Sequence, residues 1–335
     1  MESIGEEQNC SGNYSALPVP TIFLVAYYSI LAVIIIPVIF LNILIILALL
    51  VDRTTAGGIR LVLTNISAAC LVVAVVLLVF DIAGIIVPFT DIGKPERVIA
   101  LCRLTLFVGT VGGAARFLFL STFSVTVFII MTRHMPSSRE LNTRVFIGFA
   151  VTIIFLWFLA ILSGLPVLFE PIVTSSCRHT VLGGSIKVAL FGLVFGTGGF
   201  TTSITFLLLT VFYIRKHIIN DPDVVFKKAL LKLGFFLLCG NILNCVGQIV
   251  PSIASVTVNE GQPTLAVAIL AYLCLALLDL SLVPTPILLL IYFNPIRTHL
   301  KSWFCYCCSR QPKMGKRIKI GETSASNIYC CSPYN

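Results

Sequence analysis

The ionisable side chains Asp81, Arg116 and Asp279 stand inside long apolar runs. A charge in hydrocarbon is costly unless it is paired or hydrated, so such residues turn toward a protein interior and are candidates for function. Arg116 and Asp279 each lie midway along their runs, which makes a buried Arg116–Asp279 ion pair the leading expectation. Asp81, nearer the outer end of its run, is the alternative partner. Such a pair either forms a lock that a ligand perturbs or holds helices together. Asn241, Asn244 and Gln248 follow one another along a single run and must also avoid lipid. With Asp81 they either line a ligand cavity or make interhelical hydrogen bonds. Catalytic patterns are missing: there is no His-Glu-x-x-His helix, Gly-x-Ser-x-Gly elbow or P-loop. The four histidines fall at or beyond the ends of the apolar runs. No enzyme chemistry, metal centre or cofactor is expected. The glycine-rich stretches 109–113 and 196–199 lie inside apolar runs, where close helix packing explains them better than a phosphate cradle.

The elements that must position these residues follow from composition. Of 335 residues, 58% are hydrophobic and 11% charged. Soluble domains carry roughly 45–50% apolar and about 25% charged residues, so a soluble fold is excluded. The apolar residues come in blocks long enough to cross a hydrocarbon core of about 30 Å. Those blocks are continuous instead of alternating, and lipid satisfies no backbone polar group, so helices are favoured over a barrel. Seven spans are read, at 21–50, 59–88, 98–131, 145–169, 186–214, 228–255 and 264–293. The expected fold is all-α: an extracellular tail (1–20), a seven-transmembrane helix bundle (21–293), a short amphipathic membrane-surface helix with a cysteine cluster (294–308) and a cytoplasmic tail (309–335).

Charge sets the orientation. Arg53 and Arg60 lie between spans one and two, Arg133, Arg139 and Arg144 between three and four, and Arg215, Lys216, Lys227 and Lys228 between five and six. By the positive-inside tendency these loops and the basic tail are cytoplasmic. The net charge of +9 is thereby assigned to anionic inner-leaflet lipid and not to nucleic acid. Asn9-Cys10-Ser11 and Asn13-Tyr14-Ser15 are glycosylation acceptors on the opposite, outer side. A third triplet at Asn65 lies within the second span and should be inaccessible. The leading segment is polar and acidic, so the first span is expected to serve as its own insertion signal. No repeat relates two halves of the chain, which argues against a carrier.

Landmarks in successive spans resemble the rhodopsin-like family of G-protein-coupled receptors. Asn42 matches the family's first-span Asn, and Asn65-Ile66-Ser67-Ala68-Ala69-Cys70-Leu71 its Asn-Leu-Ala-x-Ala-Asp-Leu run. Trp157 and Pro166 match fourth-span landmarks, and Tyr213 the fifth-span Tyr. Phe236 to Cys239 follow the Phe-x-x-Cys pattern. Thr285-Pro286 stands where Asn-Pro begins, and Ile296-Arg297 where Phe-Arg opens the helix after span seven. The resemblance implies a disulfide between Cys102 and Cys177 that holds the second outer loop over the bundle mouth; two unpaired thiols are the alternative. It also implies a G-protein-facing set at Thr126, Val127, Phe128 and Tyr213.

Departures from the pattern are as informative. The family's Asp-Arg-Tyr triplet falls on Thr126-Val127-Phe128, so the Arg that engages the G protein is absent. The sixth-span Trp falls on Gly240 and the Tyr closing Asn-Pro-x-x-Tyr on Leu289. The sodium-binding Asp falls on Cys70, while Arg116 stands at a position next to that ion, as if supplying the missing cation. The amine-binding Asp falls on Gly109, which favours an apolar or weakly polar ligand.

After Asn294-Pro295, Ile296, Leu300, Trp303 and Phe304 alternate with Arg297, His299 and Lys301 in a helical pattern suited to the inner leaflet. Cys305, Cys307 and Cys308 follow as candidates for palmitoylation; metal binding is the alternative, but no His completes a compact zinc pattern. Ser324, Ser326 and Ser332 mark a tail open to phosphorylation. The leading functional expectation is a divergent plasma-membrane receptor of this family that carries an extracellular or membrane-borne small-molecule signal, in a chemosensory role for example, to a heterotrimeric G protein. The alternatives are a small-solute transporter or channel, and a receptor-fold decoy or partner subunit that does not couple. Substituting Asn9→Gln together with Asn13→Gln is expected to abolish the glycosidase-sensitive mass shift of the expressed protein, and Asn65→Gln to leave it intact. A shift that survives the double substitution would contradict the orientation.

Overall fold

The computed structural model describes residues 21–52, 55, 57–86, 95–132, 143–169, 186–217, 224–257 and 265–309, and all regular structure among them is helical. The first six spans are α1 (Thr21–Val51), α2 (Gly57–Ile86), α3 (Pro95–Thr132), α4 (Thr143–Phe169), α5 (Ile186–His217) and α6 (Val224–Thr257). The seventh comes in two pieces, α7 (Leu265–Leu280) and α8 (Pro284–Tyr292), and α9 (Asn294–Ser309) follows. Five helices, α1 to α5, are each long and apolar enough to cross a bilayer. The fold is an all-α seven-transmembrane helix bundle.

These helices form because their sequences are apolar on nearly every face, one side meeting lipid and the other the bundle. In α1, Ile35, Ile45 and Leu49 are fully buried while Ile30, Val33, Phe40 and Leu50 remain exposed. Exposure of that kind is unfavourable in water and suits hydrocarbon. The chain turns sharply after α8. Phe293 adopts an extended conformation, its N–H bonding back to the Leu289 carbonyl at 3.0 Å. α9 then starts at Asn294, with Pro295 in its first turn where a missing N–H costs no intrahelical bond, and leaves at 86° to the preceding segment.

Helices pack in chain order around α3, which touches α2, α4, α5 and α6, while α1 closes the ring against α7, α8 and α9. Glycines make the closest approaches. A Cβ on Gly112 would lie 2.7 Å from Val73 Cγ2, and one on Gly109 would lie 3.2 Å from Val76 Cγ1. Those two contacts fix the antiparallel register of α2 and α3. Trp157 of α4 donates its indole N–H to Asn65 Oδ1 of α2 at 2.8 Å, and Asn65 Nδ2 donates to the Leu61 carbonyl. The Asn65 amide is therefore committed to helix packing, in line with its expected inaccessibility to glycosylation.

Two adjacent glycines on α5 have opposite surroundings. A Cβ on Gly199 would meet Phe117 Cβ at 2.9 Å and the Phe117 carbonyl at 3.2 Å, whereas one on Gly198 would meet nothing within 4 Å. Backbone on α3 cannot yield as a side-chain tip can. Gly199→Ala is expected to destabilise the detergent-solubilised bundle by about 1–3 kcal/mol through overpacking. Gly198→Ala should be neutral or stabilising by up to about 1 kcal/mol through helix propensity. Thermal unfolding of the two variants measures the contrast.

Candidate functional site

The seventh span breaks where its sequence, Leu280-Ser281-Leu282-Val283-Pro284-Thr285-Pro286, removes the donors a helix needs. Pro284 and Pro286 have no N–H, so the carbonyls of Leu280 and Leu282 lose their usual partners four residues on. The chain responds with tighter turns: Leu282 N–H reaches the Asp279 carbonyl and Val283 N–H the Leu280 carbonyl, both at 3.2 Å. In an unbroken helix the Ser281 carbonyl would accept from residue 285. Here it accepts from Arg116 Nη2 of α3 at 3.0 Å, while Arg116 Nη1 donates to Ser281 Oγ at 3.1 Å. Ser281 Oγ in turn donates to the Leu278 carbonyl at 2.6 Å. One guanidinium thus engages both the side chain and the main chain of one serine, across 165 positions of sequence. Arg116 is 3% exposed, and Ser281 and Asp279 are fully buried.

The guanidinium arrives there because of α3. Its position faces the bundle centre, with Ala115, Phe117, Phe119 and Leu120 buried around it. Its bonds go to Ser281, two residues beyond Asp279, so the expected partner lies on the adjoining turn of the same element. The α2–α3 register places Asp81 opposite residue 104, twelve residues from Arg116. That separation is roughly 18 Å along the helix, beyond the reach of an arginine. Asp81 is buried nearer the outer end.

Two of the sixth-span polar residues share the layer of the break. A Cβ on Gly240 would lie 3.1 Å from Pro284 Cβ, which brings α6 against the start of α8. Asn244, one turn outward on the antiparallel α6, therefore stands near the level of residue 280. Asn241 and Asn244 are both buried, and Asn241 Nδ2 donates to the Leu237 carbonyl at 2.8 Å. Gln248 lies on α6 with its side chain outside the described residues.

Below this layer the packing is mainly apolar, with Ser124, Thr126, Thr210 and Lys227 also buried. Val127 is fully buried among Phe123, Met131, Leu207, Leu230 and Leu233. Thr126 bonds back to the Thr122 carbonyl at 2.7 Å, and Phe128 packs edge-on against Phe206. Tyr213 donates its hydroxyl to the Thr132 carbonyl at 3.3 Å, tying α5 to the inner end of α3. Thr126 and Val127 thus sit inside the bundle and not on its inner surface, because a threonine and a valine gain nothing from solvent there. The expected disulfide of Cys102 with Cys177, the acceptors Asn9 and Asn13, and the side chains of Cys305, Cys307 and Cys308 on the last turns of α9 lie outside the described residues. Sequence reasoning missed Ser281. Its only signal was position, between a mid-span acid and a Pro-x-Pro pair.

Removing the guanidinium should strand whatever it compensates. Arg116→Ala is expected to cost about 3–5 kcal/mol if a carboxylate is left uncompensated. Ser281→Ala, which keeps the main-chain acceptor, should cost about 1–2 kcal/mol. Surface expression and thermal unfolding check both. Recovery by Arg116→Asp combined with Asp279→Arg would assign the Asp279 carboxylate as the counter-charge, and failure to recover would assign the guanidinium to Ser281 alone.

No family model matches this chain, and no curated protein does. Among solved structures, the crystal structure of squid rhodopsin superposes with a TM-score of 0.63 over 92% of this chain and 90% of that one, at 15% identity. The chain therefore has the rhodopsin-like seven-helix fold, with a guanidinium holding the break in its seventh span.

Proposed function

We propose that this protein is a divergent rhodopsin-like receptor of the plasma membrane, with its N-terminus outside, that passes a small-molecule signal to a heterotrimeric G protein. The observation that carries the reading is the two-bond clasp between Arg116 of α3 and Ser281 at the seventh-span break. A receptor needs an element with two arrangements whose balance a ligand can shift. A proline-broken helix tied to a central helix by one side chain has that character. Opening the clasp frees α8 and the inner end of the bundle to move, and closing it restores the packed arrangement. The ligand acts from the outer half, where Asp81 is buried, on the middle layer, where Asn244 and Asp279 supply buried polar groups. Coupling proceeds without the family's Arg at position 127. Fully buried Val127 contributes to an apolar seal that must part when the inner half opens.

Guanine-nucleotide exchange, measured across a panel of co-expressed G-protein α subunits, tests this. Wild type is expected to exceed mock-transfected cells under a broad ligand mixture. Ser281→Ala, which weakens the clasp while retaining the carbonyl, should raise exchange without ligand severalfold. Silence of wild type, Ser281→Ala and Val127→Arg alike, with surface expression confirmed, would overturn the reading and direct attention to solute flux.

A further inference from the structure

The outward face of α6 carries Lys228 and Lys232 in a row that is otherwise apolar. Gly234 marks the opposite side of the helix: a Cβ there would meet Leu207 Cδ2 of α5 at 2.7 Å and Phe123 of α3 at 3.5 Å. Lys232, two residues earlier, points roughly 160° away from that contact. Lys228, Lys232, Phe236 and Cys239 follow one another at helical spacing, and all are exposed. Phe236 is 42% exposed, which suits hydrocarbon. An ammonium one turn away does not suit it, and its long stem must carry the charge to an anion at the membrane interface. Lys227 turns inward and is buried, so it takes no part in this face.

A further cation comes to the same groove from α5. Leu207 faces α6 and Phe206 packs on Phe128 of α3, which leaves the exposed Leu208, Phe212 and Arg215 on the lipid flank beside α6. Pairing Leu207 with Gly234 in these antiparallel helices sets Arg215 level with residue 226 and Lys228 level with residue 213, roughly 3 Å apart in height. Lys232 stands about 6 Å deeper than Lys228. Neither α5 nor α6 contains an acidic residue. Asp221 and Asp223 precede α6, but Lys232 lies roughly 14 Å along the axis beyond Asp223, too far for a pair. The groove between α5 and α6 thus presents a ladder of cations to the membrane, spread over roughly 9 Å of depth.

We propose that Arg215, Lys228 and Lys232 bind the headgroup of an inner-leaflet phospholipid that bears phosphomonoester groups, such as a phosphorylated inositol, so that one lipid bridges α5 and α6. The choice of leaflet rests on the orientation proposed above. A lipid's phosphodiester lies next to the hydrocarbon, at the depth of Lys232. The part of the headgroup beyond it meets Lys228 and Arg215 and must be anionic there. Choline or ethanolamine would bring a cation to that point, and serine an ammonium beside its carboxylate, whereas a phosphorylated inositol brings only anions. Arginine takes such a phosphate with two parallel hydrogen bonds.

Native mass spectrometry of the full chain released from detergent micelles, titrated with phosphatidylinositol bisphosphate, phosphatidylserine or phosphatidylcholine, tests the site. Micelles have no inner or outer side, so the result depends neither on orientation nor on signalling. Wild type should retain the bisphosphate in preference to the other two lipids. Arg215→Gln, Lys228→Gln and Lys232→Gln should each weaken that retention about fivefold, the factor that about 1 kcal/mol per cation represents. Lys228→Arg combined with Lys232→Arg keeps the charges and should keep the lipid. Arg297→Gln combined with Lys301→Gln, on the exposed face of α9, should leave retention unchanged. All these side chains are exposed, so thermal unfolding should match the wild type and separate lost binding from lost folding. Equal retention of phosphatidylserine would overturn the proposal. So would undiminished retention in the Lys228→Gln and Lys232→Gln variants, or an equal loss in the α9 variant, because the lipid would then answer to basicity in general.

Discussion

Hydrocarbon offers no hydrogen bonds, and that constraint organises the molecule. Each span must satisfy its own backbone, and any span that fails must be repaired from a neighbour. The seventh span breaks at Pro284 and Pro286, and Arg116 takes up the Ser281 carbonyl at that break. The side chain that makes the repair is itself a liability, since an arginine at mid-bilayer costs about 2.5–3.5 kcal/mol on insertion scales. Two defects that would each destabilise a bundle stabilise one another when the helices close: an orphaned carbonyl and a buried cation. Neither can be altered alone without exposing the other.

That mutual dependence requires α3 and the seventh span to be held at one register, and small residues do the holding. Gly109 and Gly112 let α2 approach α3, Gly199 lets α5 approach Phe117 one residue beyond Arg116, and Gly240 lets α6 approach Pro284 at the break itself. Gly199 and Gly240 thus lie at the layer that contains the clasp, while Gly58 and Gly234 allow equally close approaches nearer the inner side. Lipid exerts no hydrophobic pressure between helices, so close van der Waals contact and interhelical hydrogen bonds such as Trp157 to Asn65 carry the packing.

Much of this was legible in the sequence, because the bilayer restricts the alternatives. Apolar block length gave the spans, with α1 running Thr21–Val51 where 21–50 was read. The mid-span placement of Arg116 and Asp279 pointed to α3 and the seventh span, and in the structure Arg116 bonds to Ser281 of that span. What could not be read was the partner atom. Register along an unbroken helix follows from counting at 1.5 Å per residue, but a proline break shifts both phase and height by an amount that counting does not supply. Ser281 entered through that shift. The amphipathic pattern after Pro295 is the same whether its apolar stripe meets lipid or protein, and the 86° turn puts Ile296 and Leu300 against the bundle.

The polar interior is also divided by depth, and the division bears on how a signal could travel. Asp81 lies outermost, Asn244, Asp279, Arg116 and Ser281 occupy the middle, and the inner half around Val127 is mainly apolar, with Thr126, Thr210 and Lys227 also buried. In the proposed receptor, a ligand meeting the outer groups has a short path to the clasp, because Asp279 precedes Ser281 by two residues on the strained turn. Beyond the clasp the core around Val127 is packed mainly by apolar side chains, with Lys227 buried at the inner end of α6, so transmission there is chiefly mechanical. Packed apolar side chains resist continuous deformation and switch between discrete arrangements. A valine in place of a charged residue at position 127 therefore need not silence the bundle. It changes what holds the inner half closed, from an electrostatic tie to the packing of Phe123, Met131, Leu207, Leu230 and Leu233.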